Sequence, residues 1–204
     1  MPNPTERPAV AAGFYSLASF PRIIGALDCT HIRISSPGAI CDSNLKIRYI
    51  NAQWPGSVHD TTIWNDSPLA AEFEAGRFGS YCLLGDSGYP CLRYLLTPYL
   101  NPSTPSQEAY NRAHITTRNT MERCFGVLER SFPCLQIGMQ LKTEKVLIVI
   151  VACVVIHNMS LELDDYIIEN NQITEAEVED NVQIQVPHGQ NFSIRNTISE
   201  NYFQ

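Results

Sequence analysis

The stretch YCLLGDSGYP, residues 81–90, decides how the rest of the chain is read. Tyr81 to Leu84 reads as a short apolar strand, Gly85 interrupts it, and Asp86 stands at its end before a Ser-Gly turn. A carboxylate in that position does little for stability. Burial without a partner is costly, and a solvated loop has no need of an apolar strand leading into it. Function is the economical explanation, so the question becomes which other carboxylates could share a metal with Asp86.

Working outward, the 204 residues suffice for one domain with an appendage and a sizeable core. Hydrophobic residues make up 44% and charged residues 17%, a globular balance. The net charge of −7 hides a division. Residues 1–160 carry 13 Lys and Arg against 12 Asp and Glu, whereas residues 161–204 carry one Arg against nine acids. Neither part has the basic surplus of a protein that holds DNA by charge alone. The longest apolar run, Val146 to Ile156, is too short to span a bilayer, and MPNPTERPAV has neither the basic nor the apolar region of a signal peptide. No membrane association is expected. Seven scattered cysteines, odd in number and without a CxxC pair, read as reduced core thiols rather than as a disulfide framework or zinc site.

The pattern predicts strands over Arg22–Ser35, with alternation from His31 onward, and over Leu45–Trp54, with only a stub at Ala39–Cys41 between them. Helices are expected over Asp60–Ala75, Gln107–Phe132 and Lys142–Met159; the last is apolar nearly all round and should be buried. Cys91–Pro105 reads as irregular loop. Three parts follow: a weakly patterned lead-in over 1–18, a domain over 19–160, and an acidic, disordered tail over 161–204.

Three acids stand out by context. Asp28, in GALDCTH, lies where a core strand would carry Val or Ile; Asp86 ends an apolar strand; Glu122, in NTMERCFG, sits among apolar neighbours on a predicted helix. Mg²⁺ and Mn²⁺ take hard oxygen ligands, and phosphodiester cleavage profits from two such ions flanking the scissile phosphate. Thirty-five residues separate Asp86 from Glu122, a spacing shared with many nucleases and integrases. Spacing alone favours solvated or salt-bridged acids, because 21 acids in one chain supply many such triples. Context carries the argument.

Five blocks carry a resemblance: GALDCTHIRI (25–34), NAQWPGSVHDTTIW (51–64), LLGDSGYP (83–90), NRAHITTRNTMERCFGVLERSFPCL (111–135) and VACVVIHN (151–158). In this order they resemble the nuclease domain of PIF/Harbinger transposases, most nearly the domesticated transposase-derived nucleases of animals. The resemblance implies an α/β, RNase H-like fold with a mixed sheet flanked by helices. It implies Asp28, Asp86 and Glu122 as catalytic residues and as ligands of a divalent ion, Mg²⁺ or Mn²⁺. It implies hydrolysis of DNA phosphodiester bonds, a nuclear or also cytoplasmic location, and a Myb-like DNA-binding accessory protein as partner.

Other residues in these blocks are weighed separately. Asp60 could be an outer-shell acid, but with Ser57 it reads better as a helix cap. His31 and His59 could meet phosphate, although a structural histidine is the commoner fate. His157 and Asn158 are expected to satisfy backbone groups at a helix end, and Trp54 and Tyr89 to be core. Arg118, Arg123 and Arg130 could hold phosphates or form a salt-bridged surface. Ser87 lacks the GxSxG setting of a hydrolase nucleophile. The chain departs from the family after Ser36, where the second strand looks truncated. Its loss would strip ladder partners from its neighbours and weaken the platform that aims Asp28. A catalytically silent protein that works through protein contacts therefore stands as the alternative to a nuclease.

Overall fold

The computed structural model describes residues 1–29, 38–52, 59–137, 139, 141–163 and 192–204. In chain order the elements are α1 (Arg7–Ala18), β1 (Ile23–Cys29), β2 (Gly38–Cys41), β3 (Ile47–Asn51), α2 (Asp60–Asn65), α3 (Pro68–Glu74), β4 (Cys82–Leu84), β5 (Leu95–Leu96), α4 (Pro105–Ser131), α5 (Cys134–Ile137), α6 (Thr143–Glu162) and α7 (Ser193–Tyr202). One mixed sheet in the order β3-β2-β1-β4-β5 is flanked by helices. The β1–β2 and β2–β3 pairs are antiparallel, and the β1–β4 and β4–β5 pairs are parallel.

The truncated second strand is short but not lost. All four residues of β2 are buried, and the strand pairs on both sides. Its ladder to β1 sets Asp28 opposite Ala39 and Cys29 opposite Gly38, so it supports β1 one residue past Asp28. The expected exposure of neighbouring ladder groups therefore does not arise in β1 or β3 where they meet β2. Gly25 is required in the same region: a Cβ there would lie 2.3 Å from Ile40 Cγ2 and 3.0 Å from Leu83 Cδ2. Ile40 and Leu83 close over β1 because Gly25 has no side chain.

Two apolar clusters carry the packing, and α4 runs through both. Its first half contributes Tyr110 and Ala113 to a cluster with Phe14, Phe20, Leu83, Leu95 and Phe203. Its second half contributes Met121, Cys124 and Leu128 to a cluster with Ala39, Ile47, Val146 and Ile150. Thr104 begins the helix by accepting from Gln107 N, with Pro105 at the first helical position.

Several expectations are corrected. The predicted Asp60–Ala75 helix is two helices, because Ser67 caps a new one by accepting from Ala70 N and Pro68 opens it. The lead-in contains α1, whose Phe14 is fully buried, and the last residues of the tail form α7. Loop 91–105 contains the two-residue strand β5. α6 is buried on one side only: Val146, Ile150, Cys153, Val154 and His157 face the core, whereas Ile148, Val151, Val155, Ile156 and Met159 are exposed. By length and composition alone α6 is also long and apolar enough to cross a membrane, contrary to the estimate from its apolar run. Its packed face belongs to the domain core. Of the cysteines, Cys41, Cys82, Cys91, Cys124 and Cys153 are buried thiols, as expected, and Cys134 is exposed. Trp54 and residues 164–191 of the tail lie outside the described residues, while Tyr89 is core.

His157 and Asn158 do satisfy backbone groups, but those of the β2–β3 turn and of β3 rather than of their own helix. Asn158 Oδ1 accepts from Ile47 N at 2.9 Å, and Asn158 Nδ2 donates to Ile47 O at 2.9 Å. The amide stands in for a further strand at the β3 edge, where unpaired groups would otherwise invite association. Asn158→Ala is expected to strand both groups of the buried Ile47 and cost about 1–3 kcal/mol. A thermal melt would read this as a loss of roughly 2–10 °C.

Candidate active site

The parallel strands β1 and β4 pair Ala26 with Leu84. Two residues further along each strand direction stand Asp28 and Asp86. Both predicted acids thus lie at the carboxyl ends of neighbouring parallel strands, the edge at which open α/β sheets present ligand sites. Asp86 is held by a tight turn: its Oδ1 accepts from Gly88 N at 2.9 Å, and its carbonyl accepts from Tyr89 N at 3.3 Å. Gly88 leaves room for this, since a Cβ there would stand 3.1 Å from Asp86 Oδ1. Thr61 Oγ1 donates to Gly88 O at 2.8 Å and ties α2 to the same turn.

The third acid comes from α4, where His114, Arg118 and Glu122 follow one another at intervals of four and so share one face. His114 Nε2 lies 3.2 Å from Leu96 O, and the ring also faces the Gly85 carbonyl. Complete burial pushes its pKa down to about 4, so the ring is neutral, with a single N–H to donate at these strand ends, and adds no charge beside Asp86. One turn on, Arg118 Nη2 donates to Asp28 Oδ2 at 2.8 Å, and Arg118 Nη1 donates to Glu122 Oε1 at 3.3 Å. Asp28 and Arg118 side chains are 16% and 21% exposed, whereas Glu122 is 45% exposed, so Glu122 has room to turn. Beyond Glu122, Cys124 Sγ donates to Leu45 O at 3.2 Å, and His157 Nε2 reaches the same carbonyl at 2.8 Å. These contacts fix α4 against the β2–β3 turn and thereby set the height of Glu122 over the sheet.

The set fits a hard divalent cation in kind, being three carboxylates with no thiol among them. In position it fits in part. Asp28 and Glu122 converge on one cationic group, the Arg118 guanidinium, while one oxygen of Asp86 is engaged by Gly88 N. Among the described residues, no three His, Cys, Asp or Glu side chains stand close enough to hold one ion.

The remaining candidates fall outside this group. Asp60 opens α2, with His59 at the cap position making no side-chain cap bond. His31, Ser57 and the side chain of Asp60 lie outside what is described. Arg123 and Arg130 are exposed on other sides of α4, and His59 and Ser87 are exposed. Arg118 and His114 are the two contributors that comparing the arginines with one another does not reveal. The signal was the four-residue step in HITTRNTME, which aligns both with Glu122.

Comparison with known proteins reads this arrangement further. A family model described as DDE superfamily endonuclease matches residues 38–158, more than half of the chain. The chain belongs to the DDE superfamily endonucleases. The matched stretch contains Asp86 and Glu122 and begins after Asp28. Among curated relatives, the protein named "Putative nuclease HARBI1" in Bos taurus is 35% identical over 170 residues, covering 73% of this chain and 49% of the relative. The protein of that name in Homo sapiens gives the same identity and coverage. "Protein ALP1-like" of Arabidopsis thaliana is 22% identical over 208 residues, covering 84% of this chain and 51% of the relative. The chain therefore spans about half the length of these relatives. No solved structure matches.

Proposed function

We propose that this DDE endonuclease chain is a divalent-metal-dependent DNA nuclease of Harbinger transposase descent, built on an RNase H-like sheet. Asp28, Asp86 and Glu122 are its ligands and catalytic residues. The observation that carries the reading is the pairing of Ala26 with Leu84, which puts Asp28 and Asp86 at adjacent parallel strand ends, with Asp28 bonded to Arg118 on the α4 face that bears Glu122. When bound, a pair of Mg²⁺ or Mn²⁺ ions would supply an activated water and neutralise charge on the leaving 3′ oxygen. The chain's own contribution is positional. β2 braces the Asp28 end of β1, the Gly88 turn aims Asp86, and the anchored second half of α4 presents Glu122. His114 links α4 to the β5 end as a neutral donor.

On this reading DNA is the substrate class, and a nuclease of transposase descent acting on chromosomal DNA would work in the nucleus. The near-neutral charge of residues 1–160 supports delivery of that DNA by a partner, such as a Myb-like binding protein. The same charge balance favours the second reading, a silent interaction module. Incubating the purified chain with supercoiled plasmid and Mn²⁺ separates them. The nuclease reading expects open-circular product that requires the ion and disappears on chelation. Intact plasmid, with partner binding unchanged in a chain lacking all three acids, selects the module.

A further inference from the structure

We infer that Arg118 is an internal counter-ion that gathers Asp28 and Glu122 for a divalent ion and is displaced when that ion binds. The inference rests on the nuclease reading of the same acids. Two carboxylates on separate elements repel one another unless a cation lies between them. Here one guanidinium reaches both, at 2.8 Å and 3.3 Å. A divalent ion would bring twice the positive charge of the Arg118 guanidinium to the same carboxylates.

Three features mark the contact as releasable rather than as a permanent brace. Among the described residues, the buried Arg118 Nε has no hydrogen-bond partner, so they leave the guanidinium incompletely satisfied where it lies. A lasting buried pair depends on that satisfaction to offset desolvation. Arg118 also precedes Glu122 by one turn, the weaker order for a helical ion pair, since acid before base suits the helix dipole better. Finally, Glu122 is the most exposed of the three groups and can swing away without unpacking the core. Displacing Arg118 breaks two ion pairs, a cost that the native chain carries in its apparent metal affinity.

Calorimetric titration of Mn²⁺ tests this without any cleavage assay. Arg118→Met keeps the stem length and removes the competing charge, and is expected to lower the Mn²⁺ Kd at least fivefold relative to the native chain. Arg118→Lys, whose compact ammonium cannot fork between two carboxylates, is expected to fall between them. Thermal melts give a second reading: Arg118→Met melts lower than the native chain without metal and gains more from Mn²⁺. If Arg118→Met does not fold, the lysine variant decides alone, and a Kd no tighter than native overturns the proposal. An unchanged or weaker Kd in Arg118→Met, with binding lost in Glu122→Gln, overturns the counter-ion role and leaves the nuclease reading standing. Absence of Mn²⁺ binding by both the native chain and Arg118→Lys overturns the nuclease reading, and this role with it.

Discussion

Asp86→Ala is expected to reduce metal-dependent nicking about a thousandfold or more while leaving the fold in place. A bound ion contributes several kcal/mol of transition-state stabilisation, and about 1.4 kcal/mol corresponds to each factor of ten in rate. Losing a ligand that positions the ion forfeits most of that. The structural cost is small because, among the described residues, the Asp86 side chain accepts one hydrogen bond, from the exposed Gly88 N, which water can replace. A change below about 1 kcal/mol corresponds to a melting shift of less than about 4 °C for a chain of this size. Asp28→Ala should behave differently. It leaves the Arg118 guanidinium, 21% exposed, facing a missing partner, so stability falls along with activity. Plasmid nicking and melts on both variants distinguish a ligand from a brace. Native-like nicking by Asp86→Ala would remove this residue from the site.

What the sequence made legible is what local context encodes. An apolar strand running into an acid pointed to Asp86, and an acid within a strand pointed to Asp28. The 3.6-residue period of α4 located Glu122 on a helix whose bounds, Pro105–Ser131, lie within two residues of those expected. Other features depend on contacts distant in sequence. β5 has two residues, too few for any period to show, and is a strand only because Leu95 and Leu96 pair with Leu83 and Leu84. The truncation after Ser36 looked damaging because a linear reading counts missing residues. What matters is where the ladder stops, and it continues to Gly38 opposite Cys29. α6 misled in the other direction: an all-round apolar surface predicts burial, yet only one side has packed neighbours among the described residues. Arg118 was visible but compared with the wrong residues, since Arg123 and Arg130 stand five and twelve positions away, whereas Glu122 stands one turn away.

Removing residues 193–204 is expected to lower the melting temperature by roughly 10 °C or more, although composition assigns them to an acidic tail. The helix α7 inserts Ile198 and Phe203 into the cluster around Phe20 and Tyr110. The Phe203 ring lies 5.3 Å from that of Phe20 and 5.8 Å from that of Tyr110. Arg195 Nη1 donates to Pro98 O at 3.0 Å with its guanidinium 4.0 Å over the Tyr99 ring, and Tyr99 Oη donates to Asn196 Oδ1 at 2.7 Å. Burying two large apolar side chains contributes about 1.5–3 kcal/mol each. Their joint loss is a large share of a total near 5–15 kcal/mol and, at about 2–4 °C per kcal/mol, gives the expected shift. Phe203→Ala alone should show close to half of it. The effect on metal binding should be slight, because α7 packs on the first half of α4, where Tyr110 lies, and Glu122 stands more than three turns further along. A truncated chain that melts with the native one would return these residues to the tail.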